Sequence, residues 1–121
     1  MKGSSRRPEQ VGETIRQVVA DALIRGEVRD PRVTGFLTVT RVDVSPDRSH
    51  ATIFVMSQGE EEERVRAIEG LRNAAGFFRS RVARVLTSRT VPDLHFELDR
   101  GLEHAARINE LLEGLRREGE D

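Results

Sequence analysis

From Val65 to Leu86 the apolar residues Val65, Ile68, Leu71, Ala75, Phe78, Val82, Val85 and Leu86 keep a steady spacing of three or four. That is the period of one helix face. An apolar stripe of this length has to be covered by a second layer of structure. Acidic residues at "GEEEE" precede it and complement the positive end of a helix dipole. The stripe passes through Ala74-Ala75-Gly76 without losing phase, so periodicity alone predicts one unbroken helix.

Strands flank this helix in the sequence. "FLTVTRVDVS" (Phe36–Ser45) is rich in β-branched residues and reads as a strand. Its alternation slips near Arg41: Leu37 and Val39 are in one phase, Val42 and Val44 in the other, which predicts a bulge or bend. "SPDRS" is a turn. "HATIFVMS" (His50–Ser57) is apolar on both faces, as expected of a central strand. After the helix, Pro92 precedes "DLHFELD", where Leu94, Phe96 and Leu98 alternate with polar residues in the pattern of a one-sided strand.

Two more helices complete the chain. Pro8–Gly26 carries Val11, Ile15, Val18, Val19, Ala22 and Leu23 on one stripe. Ser5 is its expected cap, Pro8 suits the first turn, and Gly26 with "RDPR" ends it. Leu102–Arg117 is expected to turn Ala105, Ile108, Leu112 and Leu115 inward. The order is helix, strand, strand, long helix, strand, helix. A strand–helix–strand connection is normally a right-handed crossover, so the third strand joins the hairpin's sheet. The expected fold class is α+β: a single two-layer domain, a three-stranded sheet with helices on one face. Residues 1–7 form a loose basic leader, 8–117 the domain and 118–121 an acidic tail.

No apolar run approaches the roughly 20 residues needed to span a bilayer, and the N-terminus lacks a signal-peptide core. The expectation is a cytoplasmic protein without a membrane partner. The absence of cysteine excludes disulfides and thiolate metal sites. His50, His95 and His104 are scattered over separate elements without metal-ligand spacing, and no phosphate-cradling glycine loop or nucleophile elbow occurs. Neither an enzyme nor a cofactor is expected.

The net charge of −1 argues against a protein that coats nucleic acid indiscriminately. Its distribution is uneven. Residues 1–89 hold 16 basic and 12 acidic side chains, whereas residues 90–121 hold 4 and 9. Between Arg64 and Arg89, seven arginines face the single Glu69.

On a wheel of about 100° per residue, Arg72, Gly76, Arg79 and Ala83 fall within about 60° of one another, on a flank of the core stripe. Asn73 and Ser80 lie just beyond, and Arg66 and Arg84 further toward solvent. Two arginines thus bracket a glycine. Glycine costs about 1 kcal/mol in a helix interior, and close approach of another backbone is a standard reason to keep it. Guanidinium forks match phosphate geometry. Two plainer readings stand beside this one: Gly76 admits a neighbouring helix, and the arginines are a solvated face. Phe78 belongs to the core stripe, while Phe77 lies near its edge.

Three segments carry a family resemblance: "RRPEQVGETIRQVVADALIRGEVRDPRV", "VTRVDVSPDRSHATIFV" and "LRNAAGFFRSRVARVLTSRTVPDLHFELDRGLEHAARINELL". In their order and spacing the chain resembles the ribosome-binding factor A proteins of bacteria over nearly its whole length. The resemblance implies a type II KH-like fold (α-β-β-α-kink-α-β plus a C-terminal helix). In it an A-x-G element, here Ala74, Ala75 and Gly76, replaces the G-x-x-G loop and kinks the helix.

The resemblance also implies a non-enzymatic assembly factor that binds 16S rRNA of the free or immature 30S subunit. Such a factor supports late maturation, including 5′-end processing, and growth in the cold. A maturation GTPase assists its release. The long charged C-terminal tail of some members is nearly absent here. Carried onto this chain, the RNA-binding residues expected are Arg6, Arg7, Arg72, Asn73, Ala74, Ala75, Gly76, Arg79, Arg81 and Arg84, in a monomer. The competing function is a protein-binding adaptor whose basic helix meets an acidic partner.

Overall fold

The computed structural model describes residues 7–87 and 90–120. Its elements run α1 (Pro8–Ile24), β1 (Leu37–Val44), β2 (His50–Ser57), α2 (Glu61–Asn73), α3 (Ala75–Val85), β3 (Asp93–Leu98) and α4 (Gly101–Glu120). The sheet order is β1-β2-β3, with β1 antiparallel and β3 parallel to the central β2. The central place expected for "HATIFVMS" is therefore observed.

Helices α1, α2 and α3 cover one face. The shared core joins Ile15 and Val19 of α1, Ile53 and Val55 of β2, Leu71 of α2, Phe78 and Val82 of α3, and Phe96 of β3. The Phe78 and Phe96 rings lie 5.2 Å apart at the centre of this layer. The fold is the expected two-layer α+β arrangement.

The phase slip in β1 is a bulge. Val39 pairs with Val55 and Arg41 with Phe54, leaving Thr40 as the extra residue. The bulge lets Val39 stay buried while Arg41 turns to the open face, its guanidinium 4.1 Å from the centroid of the Phe54 ring. The single hydroxyl proton of Thr40 goes to the carboxylate of Asp99 just beyond β3, with the Phe54 carbonyl 3.3 Å from the same oxygen.

Helix α1 begins at Pro8 with Arg7 as its N-cap. The expected cap, Ser5, lies outside the described residues. At the other end Gly26 takes φ +65°, and the amides of Gly26 and Glu27 donate back to Leu23 and Ala22. This is the left-handed glycine stop.

Two expectations are corrected. The long helix is broken: Ala74, at φ −94° and ψ 9°, separates α2 from α3. The kink implied by the resemblance is there, and the unbroken helix read from periodicity is not. The Ala74 amide still reaches Gly70 and Leu71, and the Ala74 carbonyl still accepts from Phe78. Hydrogen bonding and apolar phase thus survive the break, which hides it from a periodicity argument.

The second correction concerns α4. Ile108, Leu112 and Leu115, expected inward, are 55%, 57% and 64% exposed, and Leu111 is 63% exposed. Nothing is described of the side chain of Ala105. The pattern identified an amphipathic helix, but its apolar stripe is not part of the core. Among the described residues no helix is long and apolar enough to cross a membrane.

Candidate nucleic-acid interface

The α2–α3 pair lies along the outer edge of β3 on one side and against the α1–β1 loop on the other. Arg72 and Arg79 both turn to the β3 side. Arg72 donates through Nε to the Phe96 carbonyl at 3.0 Å and through Nη2 to Glu97 at 3.3 Å. Arg79 donates to the Val91 carbonyl at 3.0 Å, with its Nε 3.5 Å from Asp93. Among the described residues β3 has no strand beyond it, so Arg72 satisfies a carbonyl that the edge leaves open, while Arg79 ties α3 to the segment leading into β3.

Gly76 stands between these arginines in sequence and is exposed. A Cβ built there meets nothing within 4 Å. The first of the plainer readings is therefore removed, because no helix among the described residues presses on this glycine. Ala74 and Ala75 are half-buried beside it.

Arg81 turns to the opposite side. It meets both carboxylate oxygens of Glu27, at 2.9 and 3.4 Å, and lies 4.8 Å from the centroid of Phe77. It ties α3 to the loop after α1. Asn73 faces the same way and donates to Asp30 at 3.2 Å.

The loop after α1 is built around a carboxylate–guanidinium fork that the helix-stop reading of "RDPR" missed. Arg32 grips both oxygens of Asp30, and its amide donates to the same carboxylate. The guanidinium fork of Arg32, then its backbone N–H, hold the Asp30 carboxyl well below the usual range. A Cβ on Gly70 would lie 2.7 Å from Val33 Cγ2 and 3.2 Å from Arg32 Cβ. Gly70 is what lets the loop settle onto α2. "RDPR" read only as a helix stop; the signal available was an Asp two residues from an Arg, the spacing of a local carboxylate–guanidinium fork.

Arg84 is exposed and has no ion pair among the described residues, and the same holds for Arg66 and Arg29. Arg7 caps α1, exposed, and Arg6 lies outside the described residues. The structure thus brings Arg72 and Arg79 to one side of the helix pair, and Asn73 and Arg81 to the other, with Gly76 exposed at the start of α3. Seven arginines against one acid overstates the open charge, because Arg72, Arg79 and Arg81 each meet a carboxylate from elsewhere in the chain. The pairs at Arg72 and Arg79 are half exposed. Such pairs contribute about 0–1 kcal/mol, so an arriving phosphate can displace the carboxylate.

Comparison with known proteins bears on the whole arrangement. A family model described as ribosome-binding factor A matches residues 7–112. A ribosome-binding factor A of Thermomicrobium roseum is 46% identical over 114 residues, which cover 94% of this chain and 87% of that protein. The solution NMR structure of a Thermotoga maritima protein superposes with a TM-score of 0.69 at 33% identity, over 81% of this chain and 91% of that one. The Thermus thermophilus ribosome binding factor A, as fitted into a cryo-EM map of its 30S complex, gives a TM-score of 0.58 at 28% identity, over 73% and 90%.

Proposed function

This chain belongs to the ribosome-binding factor A family, and on that premise we propose that it is an assembly factor for the 30S ribosomal subunit. It binds 16S rRNA of the immature particle along the β3 side of the α2–α3 junction. Arg72 and Arg79 exchange their own carboxylates for phosphates, and Gly76 lets the RNA backbone close on the helix. Ala74 and Ala75 set the break. Arg84 adds open charge on α3, and Arg6 and Arg7 add it at the N-terminus. Asn73 and Arg81 work from the far side of the junction.

The protein is not an enzyme. It stabilises one conformation of a structured RNA site and so supports late maturation, including 5′-end processing and growth in the cold. It acts as a cytoplasmic monomer, and a maturation GTPase assists its release.

The observation that carries this reading is Gly76. It is an exposed helix glycine that no contact among the described residues requires, flanked by two half-exposed arginines. The test replaces both arginines by glutamine. Charge reversal would set new carboxylates against Glu97 and Asp93 and confuse binding with stability. We expect Arg72→Gln with Arg79→Gln to lower co-sedimentation with immature 30S particles at least tenfold, a loss of about 1.4 kcal/mol, while the melting temperature falls by only a few degrees. Retained co-sedimentation would place the RNA elsewhere. Loss of subunit binding without any affinity of the parent protein for 16S fragments would favour an acidic protein partner.

A further inference from the structure

A cavity of about 610 Å³ opens on the far side of the same junction, between the loop after α1 and the start of α3. Its volume falls within the range of small-molecule sites. Val28, Pro31, Ala74 and Phe77 supply apolar wall, and Glu27, Asp30 and Asn73 the polar groups. Arg29 lines it as well, exposed and with no carboxylate partner among the described residues.

The walls are held in place. Asp30 is fixed by the Arg32 fork and Asn73, Glu27 is fixed by Arg81, and Phe77 is held between Arg81 and Phe78. The absent side chain of Gly70 lets the loop pack onto α2. Asp30 can only accept, so the amide nitrogen of Asn73 is the atom that faces it. Asn73 Oδ1 has no partner among the described residues and remains able to accept.

We infer that this cavity takes a single unpaired adenine from the bound RNA. The inference rests on the RNA-binding reading above. Asn73 and Phe77, four residues apart, lie about 100° around the helix pair from Arg72 and Gly76, so a strand gripped on one face can turn one base into the next. A phosphate is not the ligand, because Glu27 and Asp30 present carboxylate oxygens to the space. The same oxygens disfavour uracil, whose pairing edge sets two carbonyls beside its one N–H, and favour a base with an exocyclic amine; guanine carries one, but with the O6 carbonyl on the same edge.

Adenine supplies that amine, whose two hydrogens reach Asn73 Oδ1 and a remaining carboxylate lone pair. An amide paired with adenine is a standard base contact. The larger ring of adenine covers more of Phe77, Val28 and Pro31 than cytosine does. Arg29 meets the adjoining phosphate.

The experiment compares short single-stranded oligoadenylate and oligouridylate by fluorescence anisotropy. Adenosine and uridine 5′-monophosphates are titrated in parallel while the Asn73 side-chain amide is followed by NMR. The parent protein is expected to favour oligoadenylate by about tenfold, within the range for one bidentate base contact. Asn73→Ala erases that preference, bringing oligoadenylate affinity down to the level of oligouridylate. Arg72→Gln with Arg79→Gln weakens both oligonucleotides equally and keeps the preference.

Equal affinities in the parent, a preference surviving in Asn73→Ala, or adenosine monophosphate signals confined to other residues would each overturn the inference. If neither oligonucleotide binds, the RNA-binding reading is still decided by co-sedimentation with immature 30S particles. The monophosphate titration then decides the cavity alone: a response of Asn73 to adenosine but not uridine supports it, and silence ends it.

Discussion

Gly76 is the second residue of α3, exposed, with open space where a side chain would be. Replacing glycine by alanine in a helix gains up to about 1 kcal/mol, and no contact among the described residues opposes it. Gly76→Ala is therefore expected to raise the urea midpoint while weakening 16S rRNA binding several-fold, because the new methyl occupies the place of an approaching backbone. Chemical denaturation and filter binding on the same preparation check both halves. Higher stability with unchanged binding would mean that close approach is not the reason for the glycine. That two arginines bracket this position was legible, because helical phase puts residues 72, 76 and 79 on one side. Their partners were not. Glu97 is 25 residues from Arg72, and Glu27 is 54 from Arg81. Charge counted along a segment cannot see carboxylates that the fold delivers from another strand or loop.

Among the elements, the β1–β2 hairpin was read closely, and its turn makes a further prediction. Asp47 accepts from the hydroxyls of Ser45 and Ser49, each at 2.7 Å, and from the Ser49 amide at 3.1 Å. Those bonds, the Ser45 hydroxyl first, lower its carboxyl from the ordinary 3.8 to about 2. A lowered carboxylate stabilises the fold above its unfolded value, and the contribution disappears as pH falls through the folded one. Asp47→Ala is thus expected to melt below the parent at neutral pH, with the gap narrowing between 3.8 and about 2. Thermal melts across that window check it, and a constant gap would refute it. The β1 bulge was legible because strand alternation has a strict period of two, so one extra residue shows as a phase error. The α2–α3 break was invisible to the same logic, since Leu71, Phe78 and Val82 stay buried in phase on both sides of Ala74. Only the family resemblance anticipated it. The stripe of α4 was misread for a different reason: amphipathicity says that a helix has an apolar face, not what covers it.

At the scale of the molecule, the uneven charge along the chain becomes a spatial statement once α4 is seen to stand outside the core. Every residue from 107 to 119 is exposed. The stretch beyond Arg107 carries five acidic and two basic side chains in a chain of net charge −1. Its removal leaves the core layer intact and turns the remainder net positive. Phosphate attraction acts without regard to sequence and follows such charge. The chain cut after Arg107 is accordingly expected to melt within about 3 °C of the parent, which for a domain of this size means a stability change below about 1 kcal/mol. It should also bind bulk RNA and duplex DNA more tightly at low salt, with a steeper loss of affinity as salt rises. Circular dichroism melts and salt-series filter binding measure the two effects separately. A large drop in melting temperature would show that α4 supports the core after all. An unchanged affinity for bulk nucleic acid would show that its carboxylates do not screen the basic face, and that discrimination rests on the α2–α3 junction alone.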